Sequence, residues 1–146
     1  MDIVEPRGSA DGAWLALRLA LWPEASAAEH LDGMADALRR GHYVRLAVSS
    51  RGVAMGFIEA SKRTDYVNGT SSSPVAFIEG LYVVPASRRE GIARTLVTSV
   101  EHWATSAQCR ELASDSLIDN VTAHAVHRAL GFVETERVVY FCKALT

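Results

Sequence analysis

The chain has 146 residues, a length that suits one domain with a full hydrophobic core. Hydrophobic residues make up 49% and charged residues 22%, which excludes a disordered chain and a disulfide-rich scaffold. The net charge of −2 argues against general binding to nucleic acid or to an anionic membrane.

No membrane span, secretory signal or metal site is predicted. No apolar run approaches the ~18 residues that cross a bilayer, and the first residues lack the apolar core of a signal peptide. Cys109 and Cys142 show no metal-binding spacing, so we expect two reduced thiols in a cytoplasmic protein.

The first half of the chain is predicted to form a strand, two helices and a β-hairpin. Ser26 and Glu29 form a capping-box pattern at the start of the second helix. Pro23 ends the first helix and Gly41 ends the second. The predicted elements are a strand at 2–5, helices at 10–22 and 27–40, and strands at 43–48 and 53–61.

The second half predicts an alternation of strands and helices. The segment 75–84 is apolar on both faces, as in a central buried strand, and only Glu79 and Gly80 interrupt it. A glycine inside such a strand often marks a bulge or a close backbone approach. An amphipathic helix spans about 93–107, and further elements are a strand at 111–114, a helix at 120–130 and strand segments at 132–133 and 138–142. We therefore predict a mixed α/β fold.

The loop that follows the central strand is typical of an anion site. Arg88, Arg89 and Arg94 surround Gly91 at the start of the long helix. Unpaired amides at a helix N-terminus attract anions, and a glycine permits close approach of the backbone to a phosphate. An ordinary solvated helix start is the alternative interpretation.

The order of these features resembles the GNAT superfamily of acetyl-coenzyme A-dependent N-acetyltransferases. The matching features are the strand, the Arg-x-x-Gly-x-Ala loop, the long helix, Asn120 and Leu130-Gly131-Phe132. The resemblance implies a single domain over residues 1–146, with a mostly antiparallel central sheet, flanking helices and a splayed central strand pair. It implies acetyl-coenzyme A as cosubstrate, with its pantetheine arm bound by the backbone groups of Leu81, Tyr82 and Val83. Further contacts are implied from Arg89, Glu90, Gly91, Ile92, Ala93, Arg94 and Asn120. Glu90 would contribute only its amide.

A second set of motifs is similar to the aminoglycoside 6'-N-acetyltransferases, a branch of that superfamily. The set comprises Trp22-Pro23, Asp65-Tyr66-Val67-Asn68-Gly69, Ser72-Ser73-Pro74-Val75, Glu79-Gly80, Ala113-Ser114-Asp115 and Glu134-Thr135-Glu136-Arg137-Val138. The resemblance implies acetylation of the 6'-amine of kanamycin- or tobramycin-type antibiotics by direct attack of the amine, and hence antibiotic resistance. An acetyltransferase for a polyamine, a small metabolite or a protein N-terminus, and a non-catalytic sensor of coenzyme A, are the alternatives.

Glu79 is the predicted catalytic base and also a substrate contact. An alkyl amine is mostly protonated at neutral pH, so a carboxylate can bind the ammonium and take its proton, directly or through water. The alternative is an ion-paired acid at a strand bulge. Where many GNAT enzymes have a tyrosine as general acid, this chain has His127, which is more simply structural.

The resemblance also implies substrate binding by Trp22, Tyr66, Asp115 and Glu136. Acids suit the ammonium groups of an aminoglycoside, and aromatic rings suit its sugars. The alternatives without a role in binding are a core position for Trp22, a solvent-facing hydroxyl for Tyr66, a helix or turn cap for Asp115 and pairing with Arg137 for Glu136. Similar enzymes are usually homodimers, and the apolar run 138–142 could supply an interface strand.

Overall fold

A five-stranded sheet, with its strands side by side in chain order, is the centre of the computed structural model, which describes residues 1–146. Four strands are antiparallel neighbours, and the fifth runs parallel to the fourth. This mixed, mostly antiparallel sheet confirms the predicted fold class. The strands are β1 (Asp2–Val4), β2 (Tyr43–Val48), β3 (Ala54–Arg63), β4 (Val75–Val83) and β5 (Leu112–Ala113).

Side-chain caps fix the starts of three of the four helices. Asp11 accepts hydrogen bonds from the amides of Ala13 and Trp14, which starts the first helix later than the sequence predicts. Ser26 and Glu29 form the predicted capping box. The helices are α1 (Gly12–Leu21), α2 (Ala27–Arg39), α3 (Ile92–Ser106) and α4 (Val121–Ala129), with a short 3-10 turn at Pro85–Ser87.

Helices cover both faces of the sheet, and each face has its own core. Alternate residues of a strand point to opposite faces, so neighbouring residues such as Phe57 and Ile58 serve different cores. The α1/α2 core contains Trp14, Leu17, Met34, Ala37, Val44, Leu46 and Phe57. The α3 core contains Ala47, Ile58, Ala60, Ile78, Ile92, Leu96, Val97 and Val100. None of the helices has the length and apolar character needed to cross a bilayer.

The predicted strand segments at 132–133 and 138–142 are wrong for the isolated chain. No strand or helix forms after Ala129, and Phe141 is 93% exposed. A strand needs a neighbour to satisfy its backbone hydrogen bonds. Within one chain β5 pairs only with β4, through two residues, so the C-terminal segment has no partner strand.

Candidate active site

Glu79 is the extra residue of a β-bulge in β4. Glu59 on β3 pairs with Gly80, and the next residue, Ala60, pairs with Ile78. The shift leaves Glu79 without a residue opposite it, which confirms the irregularity that Gly80 predicts. A bulge bends its strand and redirects a side chain, so the geometry sets the Glu79 carboxylate apart from the regular ladder.

Two side chains of β3 hold this carboxylate. Ser61 Oγ donates a hydrogen bond to Oε1 at 2.6 Å, and Arg63 Nη2 lies 2.9 and 3.0 Å from the two carboxylate oxygens. The Glu79 side chain is 29% exposed, so it is screened from water but within reach of a ligand. The ion pair at a bulge, which is the structural alternative to a catalytic role for Glu79, is therefore present.

Sequence reasoning missed Ser61 and Arg63. The available signal was the period-two spacing of Glu59, Ser61 and Arg63, which places them on one face of β3. His42 was also missed. Burial, with the charge of Arg40 adding to it, lowers the pKa of His42 despite the opposing charge of Glu79.

The edge of β4 is open beyond the bulge. Only Ala76 and Phe77 pair with β5, so the two parallel strands separate as the resemblance implied. The amide of Val84 donates to Met55 of the neighbouring segment, and backbone groups alternate along an antiparallel strand. Leu81 and Val83 therefore direct their backbone groups toward the open edge, whereas Tyr82 directs its backbone toward β3. The backbone contact that the resemblance implied for Tyr82 does not fit this geometry.

The start of α3 presents backbone amides without partners. Arg89 and Gly91 have left-handed backbone conformations, with φ of 65° and 80°, and no side chain caps the helix. The first helical bond runs from Thr95 to the carbonyl of Gly91, which leaves the amides of Ile92, Ala93 and Arg94 without helical partners. Glu90 is exposed in the same loop.

Arg88, Arg94 and Asn120 have structural partners beside this loop. Arg88 Nε donates to the carbonyl of Val83 at 3.0 Å, which places its charge at the open edge of β4. Arg94 Nη2 donates to the carbonyl of Ala129 at 2.7 Å. Asn120 caps α4 by accepting from the amide of Ala123, which leaves its own NH₂ group free to donate.

An acidic cleft of about 900 Å³ brings together three of the predicted substrate residues. Tyr66, Asp115 and Glu136 all line it, and Tyr66 is 74% exposed. Glu111 and Glu134 add negative charge at the same cleft. Five acids and three arginines line the cleft in all, so its size and net negative charge suit a ligand with several ammonium groups.

Arg63 connects the cleft to Glu79. It lines the cleft while it pairs with the Glu79 carboxylate, although Glu79 is not itself a lining residue. Trp22 is not a lining residue either. Its ring packs edge-on to Phe57 in the α1/α2 core and against Gly80, so the structure places Trp22 beside the bulge rather than in the acidic cleft.

The geometry does not fit the structural alternatives for Asp115 and Glu136. The cap of α4 is Asn120, so Asp115 does not cap that helix. Arg137 pairs with Glu134 at 2.6 Å and not with Glu136. Both Asp115 and Glu136 are exposed acids at the cleft.

His127 is fixed by two hydrogen bonds. Its Nδ1 lies 2.7 Å from the carbonyl of Ala123, which can only accept, so Nδ1 carries the proton in the neutral ring. Nε2, 2.8 Å from Ser114 Oγ, then accepts from that hydroxyl. The neutral imidazole therefore has no free donor, and only the protonated ring could deliver a proton from Nε2.

Comparison with known proteins leads to the same family. Residues 12–132 match the model of the acetyltransferase (GNAT) family. An aminoglycoside N(6')-acetyltransferase type 1 from Acinetobacter baumannii is 49% identical over 144 residues, which cover 98% of each chain. One from Stenotrophomonas maltophilia is 52% identical over 130 residues, 88% of this chain and 84% of that protein.

Solved structures of such enzymes have the same fold. The apo crystal structure of the aminoglycoside 6'-N-acetyltransferase AAC(6')-Ig from Acinetobacter haemolyticus covers 100% of both chains, with a TM-score of 0.93 and 46% identity. AAC(6')-Iy in complex with a bisubstrate analogue, CoA-S-monomethyl-acetylneamine, has a TM-score of 0.92 and 42% identity, and the match covers 99% of this chain and 98% of that one.

Proposed function

The chain belongs to the acetyltransferase (GNAT) family, and we propose that it transfers the acetyl group of acetyl-coenzyme A to the 6'-amino group of aminoglycosides. The proposal rests on the way in which the β4 bulge, the open edge of β4 and the acidic cleft adjoin one another. A bulged carboxylate, Glu79, lies between the open edge of β4 and an acidic cleft, and Arg63 contacts both the carboxylate and the cleft.

The chain's own backbone fits acetyl-coenzyme A. The unpartnered amides of Ile92, Ala93 and Arg94 would bind the pyrophosphate, and the left-handed turn at Arg89, Glu90 and Gly91 exposes further amides. Leu81 and Val83 would bind the pantetheine arm through their backbone groups. Tyr82 would contribute the ring beside which Arg88 lies, and Asn120 its free NH₂ group.

The bound cosubstrate supplies an acetyl thioester, and Glu79 prepares the amine that attacks it. The carboxylate would bind the 6'-ammonium and accept its proton, directly or through one water molecule. An amide N–H at the open edge of β4, such as that of Leu81 or Val83, could bind the carbonyl oxygen as its negative charge develops. This division assigns base catalysis to a side chain and electrostatic stabilisation to the backbone.

The remaining ammonium groups and sugar rings of the substrate would occupy the acidic cleft. Asp115 and Glu136 are exposed there, and neither is an ion-pair partner of an Arg or Lys side chain. Tyr66 would pack on a sugar ring at the rim, and Trp22 would bound the substrate at the bulge. These acids favour a multiply charged antibiotic over a singly charged amine.

Thiol release from acetyl-coenzyme A with a small amine panel tests this function. We expect release with kanamycin and tobramycin, and none with an analogue that carries a 6'-hydroxyl in place of the amine. Release with spermidine alone would be consistent with a GNAT acetyltransferase but would contradict the proposed aminoglycoside substrate. Binding of coenzyme A without release for any amine would favour the sensor. Expression in a susceptible strain should raise the inhibitory concentration of tobramycin.

The exposed C-terminal segment supports a homodimer. Val139, Tyr140, Phe141 and Leu145 are all more than 70% exposed, and β5 has no neighbour on its outer side. An apolar segment without a partner strand, next to a sheet with an unpaired edge, favours pairing between two copies of the chain. Light scattering on Phe141→Glu should show a monomer where the wild-type protein is a dimer.

The thiols support the cytoplasm as the site of action. Cys109 is buried, Cys142 is exposed, and neither forms a disulfide. We also propose that residues 1–146 act as a single domain, because one continuous sheet joins the strand at the N-terminus to β5. Fractionation of cells expressing the chain would test the location.

A further inference from the structure

A charged pair lies within the α1/α2 core, close to the bulge. Glu59 is 3% exposed, and its carboxylate oxygens lie 2.6 and 2.8 Å from Arg18 Nη1. Trp14 Nε1 donates to the same carboxylate at 3.1 Å. Burial raises the pKa of Glu59 and the Arg18 charge opposes that rise. Such a pair contributes little net stability relative to apolar residues, which raises the question of what else it does.

The pair extends to Trp22 through a buried histidine. Arg18 Nε donates to His30 Nδ1 at 3.3 Å, and His30 Nε2 lies 2.9 Å from the carbonyl of Trp22. A carbonyl only accepts, so Nε2 donates to it, and Nδ1 accepts from Arg18. The guanidinium of Arg18 also lies 5.1 Å from the centroid of the Trp22 ring, and the His30 ring stacks on it. Both the backbone and the ring of Trp22 are thus held.

The held ring rests on the bend of β4. A Cβ atom at Gly80 would lie 2.5 Å from Trp22 Cη2 and 2.8 Å from Cζ2, so the ring occupies the space that a side chain would need. Gly80 follows the bulged Glu79 and pairs with Glu59 across the ladder. The buried pair and the bend are therefore joined twice, once through the ladder and once through the Trp22 ring.

We propose that Glu59 and Arg18 are positioning residues, which hold the Trp22 ring on Gly80 and thereby set the direction of the Glu79 carboxylate. This inference rests on the proposed roles of Glu79 and Trp22. It differs from a merely structural role in one respect. Loss of the pair would move Trp22 and impair turnover in protein that is still fully folded.

Glu59→Gln tests the inference because it keeps the shape of the side chain and removes its charge. Displacement of a reacting group by about 1 Å can cost on the order of 10²-fold in rate. We expect kcat/KM for tobramycin to fall by about 10- to 100-fold, with the KM for acetyl-coenzyme A changed less than about twofold. Val100→Ala is the control, since it weakens the core on the opposite face of the sheet without touching this network.

A double-mutant cycle shows whether Glu59 acts through Trp22. In a Trp22→Ala background, Glu59→Gln should cost less than about twofold, because the ring that it positions is already gone. An equal loss in both backgrounds would overturn the inference. So would a Glu59→Gln enzyme with wild-type kinetics in its folded state, or a Val100→Ala enzyme with the same kinetic loss.

Fluorine NMR of protein labelled with 5-fluorotryptophan separates this inference from the proposed function. In Glu59→Gln the Trp22 resonance should shift or broaden, whereas that of Trp103, which packs on the α3 core, should not. If the wild-type chain acetylates no amine, the proposed function fails and the NMR result still decides whether the pair positions Trp22. An unchanged Trp22 resonance would overturn the inference.

Discussion

The guanidinium of Arg63 contacts both carboxylate oxygens of Glu79 through Nη2 and donates again to Oε1 through Nε, while its carbon lies 3.7 Å from the centroid of the Phe77 ring. The carboxylate proposed as base is thus already paired with a cation before any ammonium arrives. An incoming amine must approach a site that contains both charges. The base and its ion-pair partner therefore have to be considered together.

Glu79→Gln should lower kcat/KM for tobramycin by roughly 10²-fold or more, the usual cost of losing a general base. The amide can still accept from Ser61 and fill the same space, so the fold should be retained. Steady-state kinetics provide the measurement, and Asp32→Asn, on the exposed face of α2, is the matched control. Wild-type kinetics for Glu79→Gln would remove this residue from the mechanism.

Arg63→Gln should move the rising limb of the kcat profile, which reports groups in the enzyme–substrate complex, to higher pH. A neighbouring cation disfavours the ammonium form of a bound amine and so lowers its pKa. Without Arg63 the amine keeps its proton to higher pH, and the neutral, attacking form becomes scarcer near pH 7. A profile measured from pH 6 to 10 gives the shift, and an unchanged profile would show that Arg63 does not act on the amine.

Asp115→Asn and Glu136→Gln should each raise the KM for tobramycin more than the KM for acetyl-coenzyme A. Both acids lie in the cleft and away from the anion site, so their charge should act on the cationic substrate alone. The effect should be smaller for an aminoglycoside with fewer amino groups. Equal increases for both substrates would contradict their assignment to substrate binding.

Gly91→Ala should raise the KM for acetyl-coenzyme A by about 5- to 30-fold, which corresponds to the roughly 1–2 kcal/mol cost of a left-handed alanine. A Cβ at Gly91 would meet no atom within 4 Å, so the substitution changes only the backbone preference. The free loop can relax away from φ of 80°, and binding must then reverse that change.

Gly52→Ala is the matched control for Gly91→Ala. Gly52 has φ of 78° and equally open surroundings, but it lies in the turn between β2 and β3. It should lose stability without a change in the KM for acetyl-coenzyme A. A similar rise in KM for both variants would mean that the loop at Gly91 has no special role in binding.

Asp11→Ala should lower the free energy of unfolding by about 0.5–2 kcal/mol through loss of a helix cap. Burial raises the pKa of Asp11, but hydrogen bonds from the amides of Arg7, Trp14 and Ala13 outweigh it and leave the pKa below 3.8. Because the pKa of Asp11 is lower in the folded than in the unfolded protein, its charge stabilises the fold at pH values above the unfolded-state pKa. That stabilisation is lost as the pH falls through the folded-state pKa.

The difference in unfolding free energy between wild type and Asp11→Ala should therefore be largest well above pH 3.8 and decrease as the pH falls below that value. Urea unfolding at several pH values measures it. A difference that stayed constant down to pH 2 would show that the Asp11 charge makes no contribution.

Local signals in the sequence predicted local structure well. The capping box at Ser26 places the start of α2 at the residue observed, and the apolar run 75–84 matches β4 to within one residue. The irregularity at Gly80 was also predictable, because an isolated glycine weakens a strong strand and commonly marks a bulge. Each of these features depends on residues that are close together in the chain.

Relations between distant segments were not predictable in the same way. Which β3 side chain meets Glu79 depends on the register of β3 against β4, and no residue in the intervening loop fixes that register. The ion pair with Arg63 was therefore missed, and Arg63 also lies beyond the predicted end of this strand at residue 61. The prediction of C-terminal strands was wrong for a related reason. The strand propensity of residues 138–142 is local, whereas a strand also needs a neighbouring strand to pair with.

The order of the strands has a consequence for how the protein is made. Each of β2, β3 and β4 pairs with the strand just before it, so a chain that emerges from the ribosome finds each partner already exposed. Short-range pairing of this kind favours fast folding. The hairpin that carries Glu79 can close as soon as residue 83 is out, before α3 has been synthesised. The Glu79 carboxylate and its partners Ser61 and Arg63 should thus take shape first, whereas the start of α3 and the acidic cleft, which contains Asp115 and Glu136, are completed afterwards.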